Sequence, residues 1–139
     1  MKKIIFTMVA AIVLITGCGD KKLICTSNGK AEDMTIDQKY VLTIEGKNII
    51  AVKSEKEYIF KSNDLYNSFE TVVNHSKSNI EELDNSKIKF NTKKTKDSYK
   101  LTMEVNMKDV DDEEIRSLGF NKNLNEFQTT LEEQGLVCK

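Results

Sequence analysis

The sequence predicts an α+β domain, an antiparallel β-sheet with a long central helix and one or two short C-terminal helices packed on one face. Three observations predict it. Apolar and polar residues alternate with a period of two from Met34 to Glu45, and again most cleanly from Tyr99 to Lys108. Between these stretches Leu65, Phe69, Val72, Val73, Ser76, Ile80 and Leu83 recur at helical spacing over about five turns. After them, two short segments each carry a capping residue at the start and a glycine at the end.

The chain opens differently. Lys2 and Lys3 precede a mostly apolar run, Ile4 to Ile15, and the small pair Thr16-Gly17 follows. That is the order of a signal peptide's basic region, apolar region and cleavage site. The run is too short to span a bilayer, which takes roughly 20 apolar residues, and polar Gly19-Asp20-Lys21-Lys22 comes directly after it. Cys18 stands immediately behind the small pair, so that Leu14-Ile15-Thr16-Gly17-Cys18 resembles the bacterial lipobox, with Ile15 where leucine is commoner. The resemblance implies cleavage between Gly17 and Cys18 and a diacylglycerol on the Cys18 thiol. Two acyl chains hold a protein stably where one holds it marginally. The expected location is the extracytoplasmic face of the cell membrane, lipid-anchored through Cys18. The alternative is a plainly secreted protein in which Cys18 is incidental.

The expected organisation is a signal peptide over 1–17, a membrane-proximal tether over 18–22 and one extracytoplasmic domain over 23–139. Removing 17 residues from 139 leaves 122, a length that suits one core burying about 65% of the unfolded surface. The first 17 residues hold two lysines and no acid, so the formal charge moves from −1 to −3. A mildly acidic chain without a long basic block speaks against nucleic acid as a partner.

Taking the elements in order, Leu23-Ile24-Cys25-Thr26 opens the domain as a strand close to the tether. Met34, Ile36, Tyr40, Leu42 and Ile44 form the apolar face of the next strand, and Gly46-Lys47-Asn48 turns the chain into Ile49–Val52. Tyr58-Ile59-Phe60 reads as a third strand of this meander. Ser62 or Asn63 caps the main helix, with Asp64 favourably placed in its first turn. Ile88 and Phe90 belong to a strand joined through the loop Thr92–Asp97 to the alternating strand that starts at Tyr99. Asp111 and Glu114 have capping-box spacing before Ile115 and Leu118, and Gly119 ends that helix. Asn123 and Glu126 repeat the spacing before Phe127 and Leu131, and Gly135 stops the last helix. Leu136-Val137-Cys138 then forms a short terminal strand.

With Cys18 assigned to lipid, Cys25 and Cys138 remain, one near each end of the folded part of an exported chain. They are expected to pair as a disulfide, the alternative being two buried free thiols. Without a C-x-x-C and with one histidine, no metal or redox centre is expected. His75 shares a helix face with Thr71, Ser78 and Glu82 and reads as a solvated imidazole. The acidic stretch Asp109, Asp111, Asp112, Glu113 and Glu114 invites a calcium loop. Counted from Asp109, however, Glu114 stands where glycine is needed and Phe120 where glutamate is needed, so a helix start is the better reading.

The whole arrangement, from the lipobox through Leu23-Ile24-Cys25-Thr26 to the closing Gly135-Leu136-Val137-Cys138-Lys139, is similar to the small bacterial lipoproteins of the YehR-like family. The resemblance implies an exported α+β domain and carries over no catalytic residue. Nucleophile elbows, zinc-protease helices, phosphate loops and dinucleotide fingerprints are lacking. No catalytic residue and no cofactor is therefore expected. The expected role is an interaction or accessory module at the cell envelope, with the membrane and an envelope protein as partners. The alternative is a binding protein for a small molecule, lipid or cell-wall fragment, and an envelope enzyme using paired carboxylates is a third reading.

Overall fold

The computed structural model describes residues 21–81 and 87–139. The fold is α+β, a six-stranded antiparallel sheet with three helices. In chain order the elements are β1 (Lys21–Lys30), β2 (Met34–Glu45), β3 (Asn48–Phe60), α1 (Asn63–Glu81), β4 (Ile88–Lys94), β5 (Ser98–Asn106), α2 (Asp112–Ser117), α3 (Leu124–Glu133) and β6 (Val137–Cys138). The strand order is β4-β5-β3-β2-β1-β6. After the β1-β2-β3 meander the chain passes through α1, returns at the far edge as β4 and turns back as β5 against β3. It then passes through α2 and α3 to add β6 at the other edge.

The β2–β3 turn is tight because Gly46, with φ 63°, supplies the positive φ that the first position of a type II′ hairpin loop requires. A register shift at Thr43/Ile44 follows. It lets Ile49 and Val52, three positions apart, both point into the core, which a regular period of two would forbid.

β3 is one strand of 13 residues, not the two that the sequence suggested. Its inward positions run Val52, Ser54, Lys56, Tyr58 and Phe60. The polar pair Ser54 and Lys56 interrupts the apolar alternation without interrupting the strand. Lys21 and Lys22, expected to belong to a tether, pair with Ile44 and Thr43 as the first residues of β1.

Two buried clusters form on the side of the sheet that carries Met34, Tyr40 and Leu42 of β2. In the larger one, Tyr40, Leu42, Val52 and Val105 meet Ile115, Phe120, Phe127 and Leu131 from the α2–α3 region. Tyr40, Phe120 and Phe127 stand edge to face, with ring centroids 5.8–6.5 Å apart. In the smaller one, Phe60, Val73 and Tyr99 pack with Met34, Tyr58, Tyr66 and Phe69.

Helix α1 begins where the Ser62 hydroxyl accepts the Leu65 amide at 3.4 Å. Its buried side differs from the expected stripe. Tyr66, Phe69 and Val73 face the sheet, while Leu65 and Val72 are 37% and 59% exposed. The Tyr66 ring packs edge to face on Phe60 and lies beside Tyr99, and its hydroxyl donates to the Thr95 carbonyl at 2.8 Å. Those contacts set the rotation of the helix. Leu83, counted in the expected stripe, lies outside the described residues.

Candidate functional site

The two clusters do not meet over the middle of the sheet. There Ser54 of β3 is paired with Met103 of β5, which is paired in turn with Phe90 of β4, and Lys56 is paired with Leu101. A cleft of about 340 Å³ opens over this floor. Ser76 of α1 borders one side, and Leu118, Phe120, Phe127 and Leu131 border the other. One sheet with its helices on the same side gave no reason to expect a concavity. It arises because those helices form two separate blocks.

The lining has a definite chemistry. Phe90, Leu101, Met103 and Leu118 are half-buried and present carbon and sulfur, and Met103 has the flexible thioether that adapts to irregular shapes. The Lys56 ammonium stands 5.7 Å from the centroid of the Tyr40 ring, a cation–π distance that places one positive charge beside an otherwise apolar surface. Ser54 is buried at 7% exposure and adds a hydroxyl to the floor. Carbon, sulfur, the Ser54 hydroxyl and the Lys56 ammonium give the cleft a chemistry complementary to an apolar side chain or a small amphipathic molecule.

A second polar group lies toward the smaller cluster. The Glu70 carboxylate accepts from the Tyr99 hydroxyl at 2.7 Å and from Lys94 Nζ at 2.9 Å. The Lys94 hydrogen bond, helped by that from Tyr99, holds the Glu70 carboxyl below its ordinary range. Lys94 is raised by the same carboxylate. Burial, and then the hydrogen bond to Glu70, push the Tyr99 hydroxyl far up. At Asp112 the Lys122 ammonium, 2.9 Å away, likewise lowers the carboxyl. Both carboxylates are displaced in the direction that suits an ion pair. A general acid needs the opposite.

The residues singled out in the sequence fall as follows. Cys25 and Cys138 form a disulfide with an S–S distance of 2.02 Å and lie opposite each other across β1 and β6. Gly17 and Cys18 lie outside the described residues. Asp111 caps α2, its carboxylate accepting from the Glu113 and Glu114 amides at 2.9 Å. Asp109 accepts from the Asn106 side chain at 2.9 Å, so the acidic stretch is engaged in turn and cap contacts. His75 is exposed on α1 beside exposed Thr71 and Ser78. Among the described residues no three His, Cys, Asp or Glu side chains are gathered to hold a metal, and no described helix is long and apolar enough to cross a membrane.

Sequence reasoning did not single out Ser54 and Lys56, and it read Leu101 and Met103 on the alternating face of β5 as core. The available signal was the polar interruption of β3, where a continuous strand keeps its period of two while its inward residues turn hydrophilic.

No family model and no curated protein matches the chain. Among solved structures, the chain is similar to a protein from Streptococcus pneumoniae TIGR4 whose structure was obtained by NMR. The two share 15% sequence identity at a TM-score of 0.49, over 100% of this chain and 98% of that one.

Proposed function

We propose that this chain is a lipid-anchored extracytoplasmic lipoprotein of the YehR-like kind, acting as an interaction or accessory module at the bacterial cell envelope. In this reading a long central helix and two short C-terminal helices roof one face of the sheet, and the gap between them receives an apolar segment of an envelope protein. The observation that carries the reading is the cleft floor, where half-buried Phe90, Leu101 and Met103 form an apolar strip beside the Ser54 hydroxyl and the Lys56 ammonium. The lipobox-like Leu14–Cys18 supplies the anchor.

Two measurements test it. Labelled fatty acid enters the wild-type protein and is absent after Cys18→Ala; equal labelling of both rejects the anchor. A photocrosslinking amino acid in place of Lys56 then captures one envelope protein in living cells, and Leu101→Asp, which puts charge on the floor, abolishes the capture. A crosslinker in place of Lys96, on the exposed β4–β5 turn, captures nothing. Identical products from both positions, or none from Lys56, reject the cleft as the contact.

One observation favours a second reading, a binding site for a small molecule. The cleft volume lies at the low end of the roughly 300–1,000 Å³ range of ligand pockets. A co-purifying molecule of constant mass, released by denaturation and lost in Leu101→Asp, selects this reading over the first.

A further inference from the structure

The two sides of the molecule carry opposite charge. Helices α1 and α3, and α2 with its Asp111 cap, hold ten carboxylates against Lys77 and Arg116. On the face of the sheet turned away from them, Lys22, Lys53, Lys87, Lys89 and Lys108 surround a shallow concavity of about 640 Å³ at the end where β1 begins. Lys53 pairs there with Glu104 at 3.4 Å and with Glu55 at 3.7 Å, and Lys108 with Glu45 at 2.8 Å, while Lys22 and Lys89 add further ammonium groups to the rim. The floor includes Val41, Thr43 and Ala51. Two large apolar side chains share this face toward the β1–β6 edge, Ile24 opposite Val41 of the floor and Val137 opposite Thr26, and they are 41% and 57% exposed.

Position along the chain adds the third observation. β1 begins at Lys21, three residues beyond Cys18, and three residues reach at most roughly 10 Å. Whatever holds Cys18 is therefore held close to this end of the sheet.

We infer that this basic, apolar-bordered face is the surface with which the domain lies on an anionic phospholipid bilayer. The inference rests on the lipid-anchor reading of Cys18. The ammonium groups of Lys22, Lys53 and Lys89 meet headgroup phosphates, while Ile24 and Val137 enter the interfacial layer. Each lysine near an anionic membrane strengthens binding roughly fivefold. A few suffice here, since the anchor makes docking intramolecular. The acidic helices are repelled from the same surface, which fixes the orientation and leaves the cleft between them facing away from the bilayer.

The test uses the lipidated protein in vesicles, with amine acetylation read residue by residue by mass spectrometry. Vesicles of phosphatidylcholine are compared with vesicles containing phosphatidylglycerol. On the anionic vesicles Lys22, Lys53 and Lys89 react about fivefold more slowly, Lys77 and Lys96 are unchanged, and 1 M salt restores the rates. Lys22→Glu with Lys53→Glu and Lys89→Glu removes the protection of Lys87 and Lys108. Equal rates on the two lipids, in protein that floats with the vesicles, overturn the docking while the anchor stands. Protein that carries no lipid and does not float overturns the anchor itself. Protection of these lysines in cells but not on anionic vesicles assigns the face to a protein partner and overturns the inference.

Discussion

Glu70 joins helix α1 to the sheet through a single carboxylate that accepts from both Tyr99 and Lys94. Its ionisation is linked to folding with a definite sign. A carboxyl held below its ordinary value near 4.5 contributes stability above that value, and the contribution is lost as pH falls through the lowered one. The Tyr99 hydroxyl and the Lys94 ammonium are raised, so their contributions are whole below the ordinary values of 10.0 and 10.5 and are lost as pH rises beyond them. The expected outcome is asymmetric. Glu70→Gln flattens the acid limb of the melting temperature against pH, below about 4.5. Tyr99→Phe keeps the ring against Tyr66 and Phe69 but flattens the alkaline limb above about 10. Circular dichroism melts across the pH range check both, and unchanged limbs would remove the linkage assigned to this group.

At the scale of elements, helix α2 has six residues and depends on its ends. Helices this short are marginal in isolation, so the Asp111 cap and the burial of Ile115 carry it. Asp111→Ala removes the acceptor of two amides and is expected to cost about 1 kcal/mol in urea unfolding, whereas Asp111→Asn costs a few tenths. Equal losses in the two variants would show that charge, not the hydrogen bonds, is what the cap supplies. Such caps were legible in the sequence because they are local, and so were the alternation of β2 and β5 and the pairing of Cys25 with Cys138. The continuity of β3 was not, because Ser54 and Lys56 face inward over the cleft, where no core demands an apolar side chain. The buried side of α1 was not legible either. Val72 and Val73 are adjacent and equally apolar, and tertiary contacts decide between them, those of Tyr66 with Phe60, Tyr99 and Thr95 and those of Phe69 with Tyr58, Phe60 and Tyr99. The place of Lys21 and Lys22 in β1 was not legible because they carry no apolar signal, yet β2 extends far enough to pair with them. The cleft itself depends on the separation between two helical blocks, a quantity that no residue pattern encodes.

For the molecule as a whole, the Cys25–Cys138 bond joins the two ends of the described chain across a separation of 113 residues. Strand β6 has only two residues, and its ladder to β1 is extended by the reciprocal Ile24–Lys139 backbone bonds of 3.0 and 2.9 Å. A two-residue ladder with one further reciprocal pair of hydrogen bonds does little to offset the conformational entropy of a chain end, which is about 1–2 kcal/mol per ordered residue. The covalent bond supplies what that ladder lacks. Closing a loop of this size stabilises by at most about 5 kcal/mol in the chain-entropy description, and measured values are commonly 2–4. Reduction is therefore expected to act in two parts. The midpoint of urea unfolding falls, and the amides of Ile24 and Lys139 exchange rapidly with solvent well before those of Val52 and Val105, which pair across the centre of the sheet. Cys138→Ala reproduces both effects without reductant. Hydrogen exchange that accelerates uniformly across β1, β3 and β5 on reduction, with no early loss at Ile24 and Lys139, would mean that the bond acts only on the unfolded chain and that β6 is held by the Leu136 contacts of the core.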